Sequence, residues 1–108
     1  MRITILSKNI SIGKGFEAFV IQKVGQLDRL LKGGIGLVKV EVGKETKHHK
    51  TGPIFFAEIN ASLDSKLLRV EATHIDLQSA VIQAREEMER QVKKFKDKKK
   101  DLARKHRE

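Results

Sequence analysis

Within 108 residues the hydrophobic period of this chain changes from two to about 3.6, back to two through three segments, and again to about 3.6. A period of two is that of a strand with one buried face, and a period of 3.6 is that of an amphipathic helix. Ile3 and Ile5 alternate with Arg2 and Thr4, which predicts a strand over 2–7. Phe16, Val20, Val24, Leu27 and Leu31, widened by Phe19 and Leu30, predict a helix over 14–32. Gly13 suits its N-cap and Gly33 the left-handed position after its last turn. Gly15 and Gly25 weaken that helix by about 1 kcal/mol each relative to Ala.

Gly33-Gly34-Ile35-Gly36 then reads as a turn, and alternation resumes with Val38, Val40 and Val42 against Lys39 and Glu41. Residues 43–53 are polar and bounded by turn formers, so a loop is expected there. Phe55, Ala57, Ile59, Ala61 and Leu63 form the next apolar row, opposed by Phe56, Glu58, Asn60 and Ser62. Phe56 is the one aromatic on a polar face. A turn at Asp64-Ser65 leads to Leu68, Val70 and Ala72, with Arg69 and Glu71 outward. Asp76 is placed to cap a second helix whose stripe is Leu77, Val81, Ala84, Met88, Val92 and Phe95. Only Leu102 continues that stripe, so order is expected to fail near residue 100.

The expected fold class is α+β, a two-layer β-α-β-β-β-α domain with two helices on one face of a four-stranded sheet. The first crossover is expected to be right-handed, making the first two strands parallel. Length allows one domain, here residues 1–97, followed by a basic, flexible C-terminal tail over 98–108.

Charge narrows the function. The formal net charge is +9. Ten of the basic residues and only three acidic ones lie from Arg90 onward, whereas residues 1–89 carry a net charge of only +2. A polyanion is the natural partner of such a footprint, and a solvated, solubilising tail is the competing reading. Phe supplies all five aromatics, too few exposed rings for a stacking platform under single-stranded bases. With no Cys, disulfides and thiolate metal sites are excluded. No apolar run approaches signal-peptide or bilayer length, so a cytoplasmic location is expected.

His48, His49 and His74 lack the spacing of a structural zinc site, so no metal is expected. Gly33-Gly34-x-Gly36 follows a helix and precedes a strand, the reverse of the order a phosphate loop needs. No nucleophile–base pattern or compelling carboxylate pair emerges, and the chain is not expected to be an enzyme or to carry a cofactor.

The last helix carries a resemblance. His74-Ile75-Asp76-Leu77-Gln78-Ser79-Ala80-Val81 and Glu89-Arg90-Gln91-Val92-Lys93-Lys94-Phe95-Lys96, with Lys23-x-x-x-Leu27 near the end of the first helix, resemble the ribosome hibernation-promoting factors, the family that includes the ribosome-associated translation inhibitor or protein Y. The resemblance covers about residues 2–98. Gln78 stands where the family often has Tyr, and Glu87 where it is often basic, while Lys47, Lys50, His48 and His49 add positive groups in the 46–52 loop. It implies the β-α-β-β-β-α fold, similar to a double-stranded-RNA-binding domain with an extra strand. It also implies binding to the small ribosomal subunit and its ribosomal RNA near the decoding centre, where occupancy blocks messenger and transfer RNA. A chain of this length looks like a short-form member.

On that reading the RNA-contact residues are Lys23, Arg29 and Lys32 on the first helix and Arg85, Arg90, Lys93, Lys94 and Lys96 on the second. Fixed basic rows of this kind read phosphates and 2′-hydroxyls of A-form RNA by shape. Arg90 and Lys94 lie one turn apart and project together. The competing reading is a solvated helix face with Glu86 and Arg90 paired. Rival functions are a general double-stranded-RNA-binding or RNA-chaperone module, a helix that dimerises as a coiled coil, and a membrane-surface helix. The expectation is a monomer when free, with no membrane partner and no small-molecule substrate.

Overall fold

The computed structural model describes residues 1–45, 54–64 and 66–107, with side chains as far as Leu102. Its strands are β1 (Arg2–Lys8), β2 (Ile35–Glu45), β3 (Ile54–Leu63) and β4 (Lys66–His74); its helices are α1 (Lys14–Gly25) and α2 (Leu77–Arg107). A 3-10 helix, Gln26–Leu30, continues α1. The sheet runs β1-β2-β3-β4. β1 is parallel to β2, with Ile3 beside Val38 and Ile5 beside Val40, and the remaining pairs are antiparallel. The expected two-layer α+β fold and its element order are therefore observed.

Alternation explains which face is covered. Val38, Val40 and Val42 of β2, Ala57, Ile59, Ala61 and Leu63 of β3, and Leu68 and Val70 of β4 share one buried cluster with Val20, Val24 and Leu27. Ala80, Val81, Ala84, Met88 and Val92 of α2 complete it. Both helices thus cover the same face of the sheet, and their outer sides point away from it. Burying a side chain the size of Met88 or Ile59 contributes about 2 kcal/mol before entropy is counted.

The first helix departs from the expected 14–32. It is α-helical only to Gly25, then tightens into the 3-10 helix that ends at Leu30. Val24, Leu27 and Leu30 are three residues apart, and that interval keeps one face buried at three residues per turn. Gly33 is left-handed as expected, with φ of 67°. It sits in a separate turn closed by the Gly34 N–H and the Leu31 carbonyl at 2.9 Å, not at the end of the helix.

Residues 35–36 and 43–45, expected to be turn and loop, belong to β2, while 46–53 lie outside the described residues. β2 contains an irregularity between Ile35 and Val38. Ser62 serves it: its Oγ accepts from the Leu37 N–H at 3.1 Å and donates to the Leu37 carbonyl at 3.3 Å. Phe56 is also explained. It pairs across the ladder with Gly43, and a Cβ at Gly43 would stand 2.7 Å from the Phe56 ring. The ring occupies the space the glycine leaves, so it is only 9% exposed on the uncovered face.

The expected boundary at residue 97 does not coincide with the end of a helix, because α2 continues to Arg107. No Gly or Pro follows Pro53, and Lys, Leu, Ala and Arg are good helix formers. Basic residues in the last turns also suit the negative end of the helix dipole.

Candidate nucleic-acid interface

Two short-range devices start α2. The Asp76 carboxylate accepts from the Ser79 N–H at 3.3 Å and from the Ser79 hydroxyl at 2.7 Å, the capping role expected of it. The hydrogen bond from Ser79 holds the Asp76 carboxyl below its ordinary pKa. Just before it, the Asp76 N–H donates to His74 Nδ1 at 3.0 Å. His74 thus supports the helix entry, and His48 and His49 lie outside the described residues. Among the described residues no cluster of His, Asp or Glu is placed to hold a metal ion.

With the stripe from Leu77 to Phe95 fixed against the sheet, the outer side of α2 is set. Arg90, Lys93 and Lys94 are exposed, and Lys96 and Arg85 are half-buried on the flank. Two of these five are engaged within the chain. Arg90 donates through Nε to Glu87 at 3.0 Å, and this bond, with that from Gln91, lowers the Glu87 pKa. The partner of Arg90 is thus Glu87, not the Glu86 of the competing reading. Arg85 approaches Glu89 at 3.9 Å and Glu86 at 4.0 Å, while its Nε is buried without a hydrogen-bond partner. Lys93, Lys94 and Lys96 make no ion pair among the described residues, so their cationic groups are available to an anion.

The other predicted residues are less unified. Lys23 lies in the last turn of α1, its Nζ 5.9 Å from the centroid of the Phe19 ring, which in turn packs against Phe16. Arg29 is on the 3-10 helix, where its Nε donates to the Gln26 carbonyl at 3.4 Å. Lys32 is in the following turn, so neither Arg29 nor Lys32 stands on an α-helix as expected.

Beyond the residues expected to contact RNA, α2 carries Lys98, Lys99 and Lys100 onward as exposed groups. Their signal in the sequence is the charge run itself. Lys99 reaches Asp64 on the β3–β4 turn at 2.9 Å, and Leu63, Phe95 and Leu102 line a hollow beside that ion pair.

The sheet's uncovered face is different in kind. Glu41, Glu58 and Glu71 lie side by side in register across β2, β3 and β4. Arg69 reaches Glu58 at 3.1 Å and Glu71 at 3.9 Å. Its hydrogen bond, followed by that of Asn60, holds the Glu58 carboxyl below the ordinary value. The same face carries Arg2, Lys8, Lys39 and Arg69 and is mixed in sign, whereas the exposed side of α2 offers available cations.

Residues 3–100 match the sequence model of the family described as Sigma 54 modulation protein / S30EA ribosomal protein. The chain belongs to that family. Among solved structures it is similar to the N-terminal domain of Protein Y from Thermus thermophilus, at 30% identity and a TM-score of 0.74, covering 88% of this chain and 99% of that one. It is also similar to a ribosomal subunit interface protein from Coxiella burnetii, with a TM-score of 0.78 over 90% of this chain and 99% of that one. At 14% identity the second likeness concerns the fold alone. No curated protein matches. The family match takes in α2 as far as Lys100, and so includes Arg85, Arg90, Lys93, Lys94, Lys96 and the lysines at 98–100. It ends before the last basic residues of the helix.

Proposed function

We propose that this protein is a ribosome hibernation factor: it docks the outer side of its helices on small-subunit ribosomal RNA near the decoding centre and blocks messenger and transfer RNA there. The observation that carries the reading is the row of available cations on the exposed side of α2, on a chain of a ribosomal-protein family. Lys93, Lys94 and Lys96 supply charge with no internal partner among the described residues. Arg85 and Arg90 supply guanidinium groups that phosphate can share with their glutamates. Lys23, Arg29 and Lys32 extend the interface from the first helical layer. The role is one of binding, in the cytoplasm, with no cofactor, substrate or membrane partner.

Co-sedimentation with purified small subunits across a salt series tests it. Saturable binding of one copy per subunit is expected, weakening as salt rises because bound cations release counterions from the RNA. Changing Arg90, Lys93, Lys94 and Lys96 together to Glu should abolish it. Equal affinity for subunits and for unrelated duplex RNA would replace this reading with a general double-stranded-RNA-binding module. No binding to either at low salt would remove both.

A further inference from the structure

The sheet leaves β4 as an open edge. α2 does not close over it: a groove of about 660 Å³ runs between Arg69–Thr73 of β4 and the flank of α2 bearing Glu87 and Arg90. A long edge strand with free backbone groups is a template for another strand unless something blunts it. β4 has nine residues, none of them Pro or Gly. Its outward charges alternate in sign, Arg69 and then Glu71.

That alternation makes β4 complementary to itself. In an antiparallel pair of two β4 strands, shifts by one residue put the Leu68–Val70–Ala72 row on the solvent face of the second sheet and are excluded by burial. The registers that keep the core rows together differ in what meets across the dyad. Centring on Arg69 sets two arginines opposite each other, and centring on Glu71 sets two glutamates. Centring on Val70 places Arg69 of each copy opposite Glu71 of the other, twice. Cross-strand pairs of opposite charge stabilise a ladder, and like charges directly opposite destabilise it. The same register brings Leu67, 66% exposed in the single chain, against Thr73 of the second copy. It also draws the two α2 flanks together, each offering Glu87 and Arg90. The other edge, β1, has no such exchange, since its outward charges Arg2 and Lys8 are both positive.

We infer that two copies of this chain associate through antiparallel pairing of β4 about Val70, with reciprocal Arg69–Glu71 pairs, forming one continuous eight-stranded sheet. The free protein is then a monomer–dimer equilibrium and not the monomer expected from the sequence. Arg90 lines the groove and also stands in the basic row, so a paired copy offers RNA a narrower face. That last consequence rests on the ribosome reading; the pairing does not.

Sedimentation equilibrium of the full chain, from micromolar to millimolar concentration at near-physiological salt, tests the pairing. The wild type should rise from the mass of one chain to that of two and stop there. Glu71→Arg should weaken association by roughly tenfold or more, because both reciprocal pairs become repulsive. That variant leaves Glu58 with a cation beside it, so circular dichroism should show the fold kept. Its binding to ribosomal subunits should not fall, because position 71 is on the sheet face, and this separates a failure of the pairing from a failure of the ribosome reading. Arg69→Glu should also dissociate. An equimolar mixture of the two single variants should recover a heterodimer, since each introduced charge then meets its opposite. Should Arg69→Glu not fold, Glu71→Arg against Glu41→Arg, on the same face but away from the edge, carries the same decision. A wild type that stays at one chain throughout, one that grows past two, or a Glu71→Arg variant that pairs as well as wild type would overturn the inference.

Discussion

Glu58 has a glutamate on each neighbouring strand, Glu41 on one side and Glu71 on the other. Such a row costs stability unless a cation intervenes, and Arg69 intervenes. Because the Glu58 carboxyl is held low in the folded chain, its ionised form contributes stability that is fully present above the ordinary carboxylate pKa of about 4.3 and is lost as pH falls through the lowered value. Glu58→Gln should therefore be less stable than wild type at neutral pH, with the gap closing in acid. Urea unfolding at a series of pH values measures this, and a gap of constant size would contradict the assignment. On the same face of the sheet, Gly43 is held to glycine by the Phe56 ring at 2.7 Å and by the Lys8 carbonyl. Gly43→Ala should cost about 2 kcal/mol by overpacking. Phe56→Ala added to it should restore only part, because the Lys8 carbonyl remains in the way. Neither relation was legible in sequence. The polar face of β3 could be read, and Phe56 stood out on it, but the glycine that receives the ring is on another strand.

At the scale of elements, period is what sequence reveals well, and it located all four strands and both helices. It does not settle the last turns of a helix, for a physical reason. The stripe Val24, Leu27, Leu30 fits either an α-helix or a 3-10 helix, and only tertiary packing decides between them. α2 posed the opposite difficulty. Its apolar stripe thins after Phe95, yet the helix runs to Arg107, held by propensity and by the ion pair at Asp64. The stripe itself carries much of the stability: Met88, fully buried, should cost about 3 kcal/mol when changed to Ala. Beyond Leu102 there is no stripe left, and we propose that 98–108 behaves as a basic tail that opens independently of the core. Native-state hydrogen exchange should find amides at 103–107 exchanging far faster than those at 80–92. Protection of both stretches to the same degree would make α2 one cooperative unit.

At the scale of the molecule, the chain measures 57 × 29 × 19 Å, and the long dimension reflects a helix of 31 residues, about 46 Å at 1.5 Å per residue. The sequence showed that positive charge gathers at one end. It did not show that α2 continues to Arg107, nor that Glu41, Glu58 and Glu71 align in one row on the opposite layer. Pairing across strands, which the linear order conceals, sets that row. The length of α2 bears on binding. Lys98, Lys99 and Lys100 follow on the same helix as exposed groups beyond Arg90, Lys93 and Lys94. A chain ending at Asp97 keeps every buried residue of the core, so it should unfold cooperatively with nearly unchanged stability. On the proposed reading it should still sediment with small subunits at low salt. Its affinity should fall less steeply with salt than that of the full chain, by about one unit of log–log slope for each phosphate that the shortened helix no longer neutralises. A parallel salt dependence for both chains would mean that residues 98–108 touch no phosphate and serve solubility alone. A shallower one would assign the end of α2 to the RNA, and the size of the change would give the number of phosphates it neutralises.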